Sequence, residues 1–338
     1  MNDHLSSPAA PFVVVRDALD MAAPSNRALA GAVLALGNFE GVHRGHRAVI
    51  DTALARARAL RRPAAAMTFE PHPRAFFNPG ARVFRLTDVA GKLRLFPSTG
   101  LDGAIVMSFD AALAALTPEA FIAQVLVDRY AVAGVAVGYD FHFGKGRAGT
   151  PDFLQAEGGR RGFAVDIVPA YRDGPRRVSS GAIRDALTQG EVELAARLLG
   201  YPWFVTGEVE HGDRRGRELG FPTANIRLDP QCELRHGVYA VRVGLGEQRH
   251  DGIANFGRRP MFDTGVVLLE VFLFDFAGDL YGKTLDVAFI AWIRPELKFD
   301  TVEELVRRME EDARIARAAL TQAGDAFPPL GTPLPEAP

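Results

Sequence analysis

Ala32–Leu36 is a short, wholly apolar run that feeds directly into a glycine-bearing turn, Gly37-Asn38-Phe39-Glu40-Gly41-Val42. A run of this kind, bounded by turn residues, reads as a buried strand. Immediately beyond the turn stand His43 and His46, three residues apart with Gly45 between them, and His46–Leu60 carries apolar residues at helical spacing. If His46 opens a helix, both imidazoles lie near its first turn, where unpaired backbone N–H groups and the helix dipole favour an anion. Glycine lets the backbone approach closely, and imidazole donates to phosphate oxygens. This junction of strand, turn and helix is a place to hold a phosphate and to stabilise charge during its transfer.

The alternation continues downstream. Ala64–Phe69, Gly103–Phe109, Gly134–Phe141 and Phe163–Pro169 read as strands, while Pro118–Tyr130 and Pro151–Arg160 read as helices with proline in the first turn. The repetition predicts a parallel sheet with helices on both faces. Ligands of such sheets sit beyond the strands' carboxyl ends, where His43, His46, His72 and Asp140 would fall.

Ile183–Leu187 and Val192–Leu199 are helical segments around Gly190. The pattern changes from Trp203. Val205–Val209, Tyr239–Val243, Val266–Phe276 and Leu285–Trp292 are period-two or wholly apolar runs separated by turn residues, which predicts a small antiparallel barrel. A last helix runs from Thr301 to Leu320, with Thr301 and Glu304 spaced as a capping box. The fold class expected is therefore α/β plus β. A parallel-sheet domain covers 13–186, a connecting helical segment 187–202, a barrel domain with its terminal helix 203–320, and a disordered proline-rich tail 321–338.

A length of 338 residues suits two domains. The formal net charge of −2 gives no broad positive field, so nucleic acid is not the expected partner. Cys232 is the only cysteine, which excludes an internal disulfide and fits a reducing compartment. Met1–Pro11 does not read as a signal peptide. No apolar run reaches the roughly 20 residues of a membrane helix. The expectation is a cytoplasmic protein without a membrane partner, monomeric or a weak homo-oligomer.

Three further stretches carry chemistry. In Arg177-Val178-Ser179-Ser180-Gly181-Ala182-Ile183-Arg184, a serine can cap a helix and offer its hydroxyl to a phosphate, with Arg184 a turn further in. The plain alternative is an ordinary N-cap with a surface arginine. Gly144-Lys145-Gly146-Arg147-Ala148-Gly149 has the form of a dinucleotide fingerprint, with Asp166 20 residues after Gly146. Against that reading, its strand is not the first of the sheet and Asp166 lies inside a strand rather than at its end. Glu270 interrupts the apolar run Val266–Phe274, on one face with Leu268, Phe272 and Phe274. A carboxylate enclosed by apolar neighbours has a raised pKa, which suits a general base near neutral pH.

Taken together, Gly37–His46 and Ser179–Arg184 resemble the nucleotidylyltransferase superfamily. Thr68-Phe69-Glu70-Pro71-His72-Pro73 and Val137–Gly144 narrow the likeness to its flavin adenylyltransferase branch. In the second half, Gly220-Phe221-Pro222-Thr223-Ala224-Asn225 and Ile293-Arg294-Pro295-Glu296-Leu297-Lys298-Phe299 resemble riboflavin kinases, and Ala254–Phe262 matches them in outline. The chain as a whole, about Val13 to Leu320, resembles the bacterial bifunctional riboflavin kinase/FMN adenylyltransferases.

The resemblance implies roles. His43 and His46 would act in adenylyl transfer, with Gly37, Phe39, Gly45, Ser179, Ser180 and Arg184 at ATP and with His72, Pro73 and Asp140 at the flavin. In the barrel, Glu270 would be the catalytic base, Thr223 and Asn225 would hold Mg²⁺, Gly212, Arg217 and Gly220 would cover ATP, and Arg294 would lie at the flavin. Glu40 stands where the family usually has Asp, Gly181 where it has Ser or Thr, and Met261 where it has Thr. The implied activity converts riboflavin and ATP to FMN, then FMN and a second ATP to FAD and pyrophosphate. The alternatives are a kinase whose transferase half has lapsed at Gly181, a non-enzymatic flavin sensor, and a nicotinamide oxidoreductase built on the Gly144–Gly149 loop.

Overall fold

The computed structural model describes residues 11–17, 29–78, 80, 83–211, 223–258 and 267–331. The chain divides into two compact units, one of Met1–Ala81, Val89–Arg177 and Leu330–Pro338, the other of Arg82–Asp88 and Val178–Pro329.

The first unit is built on six strands, β1 (Val13–Asp17), β2 (Val33–Leu36), β3 (Ala64–Glu70), β4 (Gly103–Ser108), β5 (Gly134–Gly138) and β6 (Ala164–Val168). They lie in the order β1-β4-β3-β2-β5-β6 and every pairing is parallel. From β2 the chain steps to β3 and β4 on one side, then returns to β5 and β6 on the other. The switch point is therefore between β2 and β5, the place where sheets of this kind bind ligands beyond the strands' carboxyl ends. The expected strands are present. β1, which the sequence reading lacks, is an edge strand whose Asp17 takes the guanidinium of Arg129 and the hydroxyl of Tyr130.

Helix Arg44–Leu60 buries Val49, Ile50, Ala53, Leu54 and Ala57, a stripe at helical spacing. Its Arg56 forks onto Asp166 of β6 at 2.9 and 2.6 Å. Asp166 is thus committed to an ion pair within the sheet layer, which removes the acidic residue that a dinucleotide site would need. The glycines of that loop have packing reasons instead. At Gly144 (φ 71°) a Cβ would lie 2.8 Å from Pro118 N, and at Gly149 it would lie 2.7 Å from the Phe143 ring. Helix Pro151–Arg161 follows as expected, capped by Thr150. The segment expected as a helix from Pro118 is one α turn, Pro118–Ala120, that widens into a π-helical stretch, Phe121–Arg129. A two-residue hairpin, β7 (Arg172–Asp173) and β8 (Arg176–Arg177), ends the unit's main stretch.

In the second unit, helices Ser180–Thr188 and Val192–Leu199 precede a closed antiparallel barrel. Its strands are β9 (Phe204–Glu210), β10 (Ala224–Leu228), β11 (Gly237–Leu245), β12 (Gln248–Arg258), β13 (Val267–Leu273) and β14 (Thr284–Arg294), in the order β10-β13-β12-β11-β14-β9. β10 and β12 escape the sequence reading. β12 turns small residues inward, Gly252 and Ala254 being buried beside Phe256, so its apolar signal is weak. Buried Trp203 donates its Nε1–H to the carbonyl of Leu86 at 2.9 Å and packs edge-on against Phe84.

Helix Val302–Gln322 is capped by Thr301, whose Oγ1 accepts the N–H of Glu304 at 3.2 Å. Glu304 returns its carboxylate to the N–H of Asp300 rather than to Thr301. Ala316 and Leu320 pack on Ala240, Phe274 and Ile290, so the helix covers part of the barrel's outer face. The expected disordered tail from 321 does not hold for 321–331. The helix runs to Gln322, Arg242 donates to the carbonyls of Gly324 and Ala326, and Arg249 lies 4.1 Å over the Phe327 ring. Residues 332–338 lie outside the described residues.

Candidate functional site

Beyond β2 the turn Gly37–Val42 is bent through three positive φ angles, 50° at Phe39, 69° at Gly41 and 36° at Val42. Positive φ at a β-branched residue is an outlier that neighbouring structure must hold in place. The turn delivers His43 as the N-cap of helix Arg44–Leu60, and His43 Nδ1 accepts the backbone N–H of His46 at 3.1 Å. The two rings stack with centroids 3.6 Å apart and planes 12° from parallel. Because His43 Nδ1 accepts, the neutral tautomer of the ring carries its proton on Nε2. Burial lowers the pKa of His46 well below its ordinary 6.5, and His43 and Lys92 push the same way. His46 therefore stays neutral, and its Nδ1 is enclosed without a hydrogen-bond partner among the described residues. Phe39 is buried, its ring edge-on to His46 at 5.3 Å and packed under Gly37, where an added Cβ would sit 3.3 Å from it.

Neighbouring strands bring the other sheet residues to the same edge. β3 leads to His72 and Pro73. His72 is buried and caps helix Pro73–Phe77, its Nδ1 accepting the N–H of Arg74, while its Nε2 lies 3.9 Å from Glu40 Oε2. The longer carboxylate at position 40 thus reaches a histidine of the next strand. β5 leads to Asp140, which is exposed and ion-paired to Arg177, itself 5.0 Å over the Tyr139 ring. Gly45 lies in the first turn of helix Arg44–Leu60. One residue here escapes the sequence reading. Lys92, on helix Val89–Leu95, is fully buried and donates to Thr68 Oγ1 at 3.0 Å. A lone lysine among Val89, Leu93, Leu95 and Phe96 is the signal that would have found it.

Ser179, Ser180 and Arg184 belong to the second unit. Ser179 caps helix Ser180–Thr188 through the N–H of Ala182, Ser180 is its first residue, and Arg184 donates its Nε–H to the carbonyl of Phe84.

On the barrel, register assembles a polar row. Glu210 of β9 lies opposite Asn225 of β10, Asn225 opposite Glu270 of β13, and Glu270 opposite Asn255 of β12. The fully buried residues of β13 are Val267, Leu269, Val271 and Leu273, so Glu270 is on the outward face and half-buried. The enclosed apolar setting expected for it is not what the barrel provides. Its cross-strand partners are the amide residues Asn225 and Asn255, and that row is its distinguishing environment. Asn225 is buried and its Oδ1 has no hydrogen-bond partner among the described residues. Thr223 stands just before β10. No group of three His, Cys, Asp or Glu side chains forms a metal cluster among the described residues. Arg294 is committed to buried Asp312 of the last helix, with contacts of 2.7–3.0 Å. Gly212, Arg217, Gly220 and Met261 lie outside the described residues.

Residues 25–182 match the family model of FAD synthetase, and residues 199–320 match that of riboflavin kinase. The bifunctional riboflavin kinase/FMN adenylyltransferase of Haemophilus influenzae is 41% identical over 298 residues, covering 87% of this chain and 96% of its own. That of Escherichia coli is 42% identical over 288 residues (85% and 92%), and that of Bacillus subtilis 36% over 296 (85% and 92%). A solved structure named as a macrolide-efflux protein from Streptococcus pneumoniae matches with a TM-score of 0.79 at 30% identity, covering 90% of this chain and 99% of its own. Among the described residues no helix is long and apolar enough to cross a membrane. With both halves matched in order along one polypeptide, the chain belongs to the bifunctional riboflavin kinase/FMN adenylyltransferase family.

Proposed function

We propose that the barrel phosphorylates riboflavin to FMN and that the sheet domain adenylylates FMN to FAD, each step consuming one ATP and the second releasing pyrophosphate. In this reading residues 13–186 carry adenylylation, 187–202 connect, and 203–320 carry phosphorylation. The observation that carries the reading is that each packed unit holds a polar constellation of its own. The stacked imidazoles belong to one packed unit and the Asn225–Glu270 row to the other.

In phosphorylation, Glu270 takes the proton of the terminal ribityl hydroxyl as that oxygen attacks the γ-phosphorus of ATP and ADP leaves. The orphaned Oδ1 of Asn225 fits a hard cation, and with the Thr223 hydroxyl it suits Mg²⁺ held mostly by phosphates and water. Such an ion, when bound, neutralises phosphate charge. Gly212, Arg217 and Gly220, outside the described residues, are assigned to ATP, and Arg294 orders the flavin end while anchored to Asp312.

In adenylylation, a phosphate oxygen of FMN attacks the α-phosphorus of ATP in line, and the bond to pyrophosphate breaks without a covalent enzyme intermediate. Neutral His46 and the Nε2–H of His43 donate to phosphate oxygens at the helix N-terminus, with Gly37, Phe39 and Gly45 shaping their approach. Ser179, Ser180 and Arg184 serve the ATP, and His72, Pro73 and Asp140 the flavin. Positioning and charge neutralisation do most of the work. The reaction runs in the cytoplasm, on a monomer or weak homo-oligomer, in a reducing setting that suits the lone Cys232.

The test is incubation of the full chain with riboflavin and Mg-ATP, separating flavins over time. FMN should appear first and FAD after it. Arrest at FMN identifies a kinase alone, and flavin binding without ATP consumption identifies a sensor.

A further inference from the structure

Lys92 is 1% exposed and ranks among the largest fully buried side chains of the protein. An enclosed ammonium costs free energy that a leucine or methionine of similar volume would not. Its neighbours Leu93 and Leu95 are buried in the ordinary apolar way. The lysine instead starts a line of hydrogen bonds. Lys92 Nζ donates to Thr68 Oγ1 at 3.0 Å, and Thr68 Oγ1 donates to the Asn38 carbonyl at 3.1 Å. Asn38 immediately precedes Phe39, the first of the three positive-φ residues. Phe96, four residues beyond Lys92, packs edge-on against the Phe39 ring at 5.7 Å, and Phe39 packs edge-on against His46 at 5.3 Å. One stretch of chain, 92–96, therefore braces the bent turn at its carbonyl and at its ring. Strain of this kind persists only where the surroundings over-determine it.

We propose that Lys92 is a positioning residue of the adenylylation site, holding the Gly37–Val42 turn through Thr68 and setting a fixed positive charge beside the His43–His46 pair. The proposal rests on the assignment of that pair to adenylyl transfer. A charge-assisted donor fixes the turn more tightly than a neutral one, and the line ends where the chain turns toward both imidazoles. The ionisable groups that act on His46 are His43, stacked on it, and Lys92. Removing the lysine charge lets His46 take a proton at higher pH.

The test uses the full chain with FMN and ATP supplied. Lys92→Met is expected to lower kcat for adenylylation by about 10–100-fold, to change KM for ATP far less, and to move the acid limb of the kcat–pH profile to higher pH. Riboflavin phosphorylation by the same preparation should stay near wild type. Thr68→Val cuts the line but keeps the charge, so it should lower kcat without moving the acid limb. The double variant should be little worse than Lys92→Met alone. If the methionine variant does not fold, Lys92→Gln keeps a donor for Thr68 and should still move the acid limb. Wild-type adenylylation in Lys92→Met, or a loss with the acid limb unmoved, overturns the positioning role. Intact adenylylation in His46→Ala would instead overturn the site assignment beneath it, so the two failures are distinguishable.

Discussion

His43 and His46 stack at 3.6 Å, and the His43 ring also caps the helix that carries His46, by accepting the His46 N–H at 3.1 Å. One side chain therefore does two separable things. It satisfies a backbone donor of the helix's first turn, and in the proposed reaction its Nε2–H donates to a phosphate oxygen.

Capping and chemistry should come apart at His43. Asparagine is among the best N-caps, so His43→Asn should recover much of the roughly 0.5–2 kcal/mol that His43→Ala loses by removing the cap. Adenylylation should stay depressed in both. Urea unfolding beside an FMN-to-FAD assay makes the comparison, and full activity in the asparagine variant would mean that His43 is a cap and nothing more.

The two activities should be lost separately. Glu270→Gln is expected to slow phosphorylation by about 10²–10⁴-fold, the scale of general-base loss, and to leave adenylylation of supplied FMN nearly intact. His46→Ala should do the reverse. A single one of these changes abolishing both activities in folded protein would contradict separate sites.

Stability should depend on His46 in a defined direction. Its folded pKa lies well below the ordinary 6.5, so between that folded value and about 6.5 the unfolded chain binds more protons than the native one. Stability is then highest above about 6.5 and falls as pH drops toward the folded value. Denaturant midpoints measured across this window should slope upward with pH, and His46→Gln should flatten the slope.

Asn225 should show function at the expense of stability. Its buried Oδ1 has no donor among the described residues, so Asn225→Leu should leave the barrel's melting temperature unchanged or raised. Phosphorylation should fall, and the Mg²⁺ concentration needed for half-maximal rate should rise. A sharp drop in melting temperature would show that the amide is structural.

Asp312 should matter more than its distance from the polar row suggests. It is 1% exposed and takes both Arg294 and Arg308. Asp312→Ala leaves Arg294 nearly buried without its carboxylate, a loss of about 3–5 kcal/mol in chemical denaturation.

Much of this was legible in the chain. The buried strand, the bent turn and the paired histidines follow from local pattern, as does the change from helical to period-two runs near Trp203. The capping roles of Ser179 and Thr301 are local too, because an N-cap and its donor lie within three residues, whereas the helix expected to open at His46 opens at Arg44 with His43 as its cap. Less legible were elements with weak apolar contrast. β12 fills the barrel with glycine and alanine, and β1 is five residues at a sheet edge. Alternation alone placed Glu270 on a face with Leu268 and Phe272 without saying which face met solvent.

By itself the sequence determined the chemistry on offer and the order of the two β architectures, since both are written in residue types and in periods of a few residues. Tertiary structure alone decided which partners those residues would have. Asp166 was spent on Arg56, 110 residues away, Arg184 on a carbonyl 100 residues upstream, and Glu270 was set between two asparagines by barrel register. Lys92 became part of the histidine site only because β3 lies beside β2. The reason is physical. Periodicity reports which face a side chain takes along its own element, whereas a partner across strands depends on how the sheet is threaded and closed, and no local spacing carries that information.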